Sequence, residues 1–125
     1  MAQPIRLLIT DDSVRARHGL RALLSTSPEV EVVGEATNGE EAVCLVAEFH
    51  PDVVLMDVQM PLMDGVEATR RIKRLWPEVQ VIVLTIYAEQ QAAALTAGAD
   101  SFVIKGGAPE QLLAALGVFG AVGKR

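Results

Sequence analysis

Cysteine is nearly missing: Cys44 stands alone, so no internal disulfide can form, and a reducing cytoplasmic compartment is the expected location. Its place in a helical pattern predicts plain packing for that thiol. Aromatic residues are scarce as well, three Phe, one Tyr and one Trp, so any core must be aliphatic and rich in alanine. Cations are outnumbered, 11 Lys and Arg against 16 Asp and Glu, giving a net charge of −5. That balance argues against this domain itself gripping a phosphate backbone, which takes a basic patch. No apolar run is long enough to cross a bilayer; the longest, Leu112 to Gly123, has 12 residues and predicts a packed helix. Met1-Ala2-Gln3-Pro4 leads straight into a strand pattern, so a secretory leader and a membrane role are not expected.

What is present is a chain of 125 residues, half of them apolar, the size of one domain with a full core. Its centre is Pro51-Asp52-Val53-Val54-Leu55-Met56-Asp57, four apolar residues between a turn-forming pair and a carboxylate. So short and apolar a run predicts a strand buried on both faces of a parallel sheet. Three other runs end in the same way. Ile5 to Thr10 stops at Asp11-Asp12, Val79 to Leu84 at Thr85, and Phe102-Val103-Ile104 at Lys105. A parallel sheet gathers the carboxyl ends of its strands at one edge, where ligands bind.

Helical patterns separate these strands. Ala16, Leu20, Leu23 and Leu24 form one face of the first, and Val30 to Ala36 then reads as a half-exposed edge strand. Asn38 and Glu41 cap a second helix expected to bury Ala42, Leu45, Val46 and Phe49; His50-Pro51 closes it. Asp64 and Glu67 repeat that logic for a third, carrying Val66, Ile72 and Leu75, with Arg70, Arg71, Lys73 and Arg74 on a solvated face. Ala88 to Ala97 predicts a fourth helix whose only bulky apolar residue is Leu95. Pro109 starts a fifth, with Leu112, Leu116 and Phe119 in one stripe. His18 and His50 are assigned to helix surfaces. Five strands alternating with five helices, joined by right-handed crossovers, place helices on both faces of the sheet.

Two adjacent acids at one strand end and a third at the next resist joint ionisation, and a hard divalent cation relieves the strain. Oxygen-only ligands point to Mg²⁺. With that charge neutralised and Lys105 nearby, Asp57 can act as a nucleophile toward phosphorus. Thr85 is placed to donate a hydrogen bond to a phosphoryl oxygen. A cofactor binder of flavodoxin type would need a phosphate loop where Asp11-Asp12 stand, and a phosphatase of the haloacid-dehalogenase type would need a second acid where Gln59 stands. A phosphorylation-independent interaction module remains the competing reading.

The chain resembles the receiver domains of bacterial two-component response regulators over residues 4 to 120. The resemblance rests on Asp11-Asp12, Asn38-Gly39-Glu40-Glu41-Ala42, Met56 to Gly65, Leu84-Thr85 and Ala97 to Lys105. It implies a flavodoxin-like, doubly wound (βα)5 three-layer α/β sandwich with strand order 2-1-3-4-5. It implies that Asp57 accepts a phosphoryl group from a sensor histidine kinase, that Asp12, Asp57 and the Gln59 carbonyl ligate Mg²⁺, and that Asp11 acts through water. Lys105 would pair with the phosphoryl group, and Thr85 and Phe102 would form the switch pair. No independent substrate turnover is implied beyond the domain's own phosphorylation and dephosphorylation. Arg17-His18-Gly19-Leu20 and the segment from Lys105 to Leu113 resemble the subgroup fused to a LuxR-type helix-turn-helix domain. Residues 1–125 would then be a single receiver, either part of such a protein or standing alone, contacting DNA only through an output domain outside this chain and able to form a homodimer through its last helices. Two positions depart from the family: Gly106 follows Lys105 where proline is usual, and Ile86 fills a place usually held by a small residue. Ile86 is expected to gate access to Asp57, because a β-branched side chain has few rotamers with which to move aside.

Overall fold

The apolar runs pair side by side as predicted, in a parallel five-stranded sheet of order β2-β1-β3-β4-β5. The computed structural model describes residues 3–117. Along the chain these are β1 (Ile5–Thr10), α1 (Val14–Leu24), β2 (Val30–Ala36), α2 (Gly39–Phe49), β3 (Val53–Asp57), α3 (Gly65–Leu75), β4 (Gln80–Thr85), a 3-10 turn (Ala88–Gln90), α4 (Gln91–Thr96), β5 (Ser101–Ile104) and α5 (Pro109–Ala115). Every residue of β3 is buried, whereas the edge strand β2 is mostly half-buried. Central strands in a doubly wound sheet have helices on both faces and an edge strand does not.

Strand alternation divides the core in two. Leu8, Val54, Met56, Val81 and Val83 face α2, α3 and α4, where they meet Ala42, Val46, Ala68, Ile72 and Ala94. Leu7, Ile9, Val53, Leu55, Ile82 and Leu84 face α1 and α5, meeting Leu24, Leu112 and Leu116. The predicted caps form: the side chains of Asn38 and Asp64 accept from the amides of Glu41 and Glu67, while Ser13 caps α1. The Glu41 carboxylate reaches back one residue past the cap, accepting from the Thr37 amide at 2.6 Å and from the Thr37 hydroxyl at 2.8 Å.

Four expectations need correction. Leu75 is 58 % exposed, because α3 ends there and Trp76 turns back onto the core in its stead. Ala88 to Ala97 is not one α-helix: a 3-10 turn precedes α4, which is only six residues long, buries Ala94 alone and leaves Leu95 46 % exposed. Cys44 is exposed, since it lies two residues from both Ala42 and Val46 and so off their buried stripe. The fifth helix closes at Ala115, shorter than the apolar run from Leu112 predicts, and Phe119 lies outside the described residues. His18 and His50 are exposed, as expected.

Candidate functional site

β1, β3, β4 and β5 end at one edge, where backbone bonds fix the strand ends against one another. The Asp11 amide donates to the Ala36 carbonyl at 3.0 Å, and the Lys105 amide donates to the Thr85 carbonyl at 2.8 Å. The loop after β3 closes tightly on Asp57. The Gly65 amide donates to the Val58 carbonyl at 2.8 Å, and a Cβ at Gly65 would lie 1.8 Å from the Asp57 carbonyl oxygen. No side chain fits there. Gly106, just past Lys105, has φ of 84°, a conformation closed to proline and open to glycine.

Asp11 is 1 % exposed and fully engaged. Its Oδ1 accepts from the Ser13 amide at 2.9 Å, and its Oδ2 accepts from Lys105 Nζ at 2.5 Å. Lys105 Nζ also lies 3.5 Å from Asp57 Oδ1. Asp12, exposed at the rim, brings a third carboxylate; one oxygen from each of Asp11, Asp12 and Asp57 lies within 4.8 Å of the others. Burial, then the charge of Asp11, push the Asp57 carboxyl above its ordinary value, with Lys105 acting in opposition. For Lys105, burial works against the charge, yet the Asp11 hydrogen bond and the two carboxylates outweigh it and the ammonium is held more firmly than usual. Such an all-oxygen, excess-anion cluster fits a hard divalent cation.

Asp57 opens onto a pocket of about 200 Å³, lined also by Gln59, Thr85, Ile86, Tyr87 and Lys105. Ile86 is 62 % exposed at its rim. Thr85 is buried; its hydroxyl donates to Gln90 Oε1 at 2.8 Å and accepts from the Tyr87 amide at 3.2 Å. Phe102 is half-buried on the side of the sheet that faces α2, α3 and α4, and lines a surface groove with Ala88, Gln91, Ile104 and Gln111. Asp11, Asp12, Asp57, Gln59, Thr85, Ile86 and Lys105 therefore meet around one edge, and Phe102 stands apart.

Sequence reasoning missed two contributors. Arg17 donates to the Asp11 carbonyl at 2.7 Å and to Glu35 at 2.8 Å, clamping the end of β1 to β2. Its position one turn after the Ser13 cap was a usable signal. Gln90 carried none, being one polar residue in an alanine-rich segment.

The response regulator receiver domain model matches residues 7–117. The chain belongs to this family. As a receiver it is a phosphorylation-activated switch of two-component signalling. Among similar proteins, the response regulator VraR of Staphylococcus aureus is 44 % identical over 103 residues, covering 81 % of this chain and 49 % of VraR. The receiver spans about half the length of the curated relatives it matches. A two-component response regulator of the LuxR family from Aurantimonas sp. SI85-9A1 superposes with a TM-score of 0.87 at 32 % identity, covering 92 % of this receiver and 84 % of that chain. RcsB from Salmonella enterica serovar Typhimurium, bound to promoter rprA in the presence of phosphomimetic BeF3⁻, gives 0.84 at 29 % identity, covering 93 % and 68 %. Among the described residues, no helix is long and apolar enough to cross a membrane.

Proposed function

We propose that Asp57 is the phosphoacceptor of a LuxR-type transcriptional response regulator. The observation that carries this reading is a buried carboxylate ending the central strand and opening to a small pocket shared with a lysine and a threonine. A phosphohistidine on a partner sensor kinase is the donor. An Asp57 carboxylate oxygen attacks phosphorus, forming a P–O bond as the P–N bond breaks, and the electron pair leaves with the imidazole nitrogen. Asp12, Asp57 and the Gln59 carbonyl would hold Mg²⁺, which when bound offsets negative charge at the transferring phosphoryl group. Asp11, already committed to Ser13 and Lys105, would serve it through water.

Lys105 then meets a phosphoryl oxygen, and Thr85 donates its proton to another. The added charge, about −1.5 to −2, draws Thr85 inward, with Phe102 as its partner, and alters the face formed by α4, β5 and α5. A homodimer through the last helices and a DNA-binding domain outside residues 1–125 complete the output, in the cytoplasm, with no substrate turnover other than at Asp57. Ile86 narrows the pocket mouth, admitting small donors slowly and shielding the aspartyl phosphate from water.

Intact mass after incubation with Mg²⁺ and a small phosphodonor tests the acceptor. A phosphate-sized gain that is lost in Asp57→Asn is expected. An unchanged mass in the parent chain, or a gain that persists in Asp57→Asn, overturns it in favour of a phosphorylation-independent interaction module or another acceptor.

A further inference from the structure

The Thr85 hydroxyl has both of its hydrogen-bonding roles filled. It accepts from the Tyr87 amide at 3.2 Å and spends its one proton on Gln90 Oε1 at 2.8 Å. A hydroxyl has a single hydrogen to give. An anion seated on Asp57 and sharing the pocket with Thr85 must compete for that hydrogen with the Gln90 carboxamide. Gln90 itself ends the 3-10 turn that leads into α4, and that turn has no side-chain cap. α4 adds little of its own, since Ala94 is its one buried residue. At the far end, by contrast, the Asp100 carboxylate accepts from the Val81 amide at 2.8 Å and from Lys73 Nζ at 3.0 Å, and Lys73 also donates to the Val79 carbonyl at 2.8 Å. The segment from Tyr87 to Ala97 is therefore followed by firm anchoring at Asp100 and held at its start through the Thr85 hydroxyl, which bonds the Tyr87 amide and Gln90 Oε1.

We propose that Gln90 is a positioning residue that withholds the Thr85 proton from the phosphoryl site, so that phosphorylation and release of the 3-10 turn are one exchange of hydrogen-bond partners. This rests on the assignment of Asp57 as phosphoacceptor. Occupancy of Asp57 by an anion draws the proton, the Gln90 carboxamide loses its donor, and the start of α4 is freed. Conversely, deleting the carboxamide removes the competitor and raises the fraction of molecules ready to receive the anion.

The test is a double-mutant cycle read by beryllofluoride titration at fixed, saturating Mg²⁺, followed through amide shifts of Asp57 and Lys105. Gln90→Met keeps length and helix preference while removing the acceptor, and Thr85→Val removes the proton at constant shape. Net hydrogen-bond energies predict that Gln90→Met binds about three- to tenfold more tightly than the parent. In the Thr85→Val background the same substitution should change nothing, because Gln90 acts only through that proton. Unchanged or weaker binding in Gln90→Met, or an equal gain with Thr85→Val, overturns the proposal; Gln90→Leu is the second variant should Gln90→Met not fold. Failure of the parent to bind beryllofluoride, or binding that survives Asp57→Asn, would instead overturn the acceptor assignment and the proposal with it.

Discussion

Lys105 Nζ lies 2.5 Å from Asp11 Oδ2, a full hydrogen bond between residues 94 positions apart, and only 3.5 Å from Asp57 Oδ1. The lysine thus neutralises a buried acid before any phosphoryl group arrives. Removing it leaves Asp11 charged and buried without its cation. Lys105→Ala should cost about 2 kcal/mol of stability in EDTA. Millimolar Mg²⁺ should recover more of that loss than it adds to the parent, because a cation then replaces the missing charge. Thermal melts with and without Mg²⁺ check this; equal Mg²⁺ effects in the two proteins would contradict it.

Ile86 stands exposed at the mouth of the pocket that holds Asp57. So exposed a side chain contributes little packing, and Ile86→Ala should change the melting temperature by no more than a degree or two, in line with about 0.5 kcal/mol for a surface site. Phosphorylation by a small donor and loss of the phosphoryl group should both become faster. Unchanged rates in the well-folded variant would leave Ile86 without a gating role.

At Gly65 the constraint is steric. A Cβ would stand 1.8 Å from the Asp57 carbonyl and 2.9 Å from Met56 Cγ, and the first of these is backbone that cannot swing away. Gly65→Ala should destabilise by about 3 kcal/mol, the upper end for overpacking, and displace Asp57 enough to weaken Mg²⁺ binding. Urea unfolding and a metal titration measure the two effects. Near-parental stability would show that the loop has room to shift.

Glu35 gives the pH dependence. The hydrogen bond from Arg21, then that from Arg17, against burial, hold its carboxyl below the ordinary value of 4.5. A depressed folded value means that the pair stabilises the fold above 4.5 and that this contribution is lost as the pH falls through the lower, folded value. Glu35→Gln should therefore cost about 0.5–1 kcal/mol near neutrality, as a partly exposed pair does. The difference from the parent should close in acid. A deficit that stays constant down to acid pH would assign the loss to packing.

Weak anchoring of α4 should show in amide exchange. α4 buries a single alanine, Ala94, whereas α1 and α5 each bury a leucine and α2 and α3 bury three and four residues, so its amides should exchange fastest among the described helices. Slower exchange there than in α2 would mean that α4 is held by something other than burial.

The sheet and the site were legible for the same reason. Strands covered on both faces carry near-continuous apolar runs, so the polar residues that close them, Asp11 after Thr10, Asp57, Thr85 and Lys105, mark the sheet edge. Helix contents were less legible. Leu75 looked like core because it is apolar, yet its exposure is set by where α3 stops, which a periodic pattern does not encode. Gln90 was invisible because its role depends on a turn that folds it back over Thr85.

Alternation within β4 puts Val81 and Val83 on one core and Ile82 and Leu84 on the other, with Thr85 as the last residue. Deleting Gln80, with the register to β3 kept, would send each valine to the wrong side and deliver Ile86 to the place of Thr85. Substitutions leave that order alone, but an insertion or deletion does not. The number of residues between Gln80 and Thr85 is thus as much a part of the site as the threonine itself, and variants in this stretch should differ in letters and hold to one length.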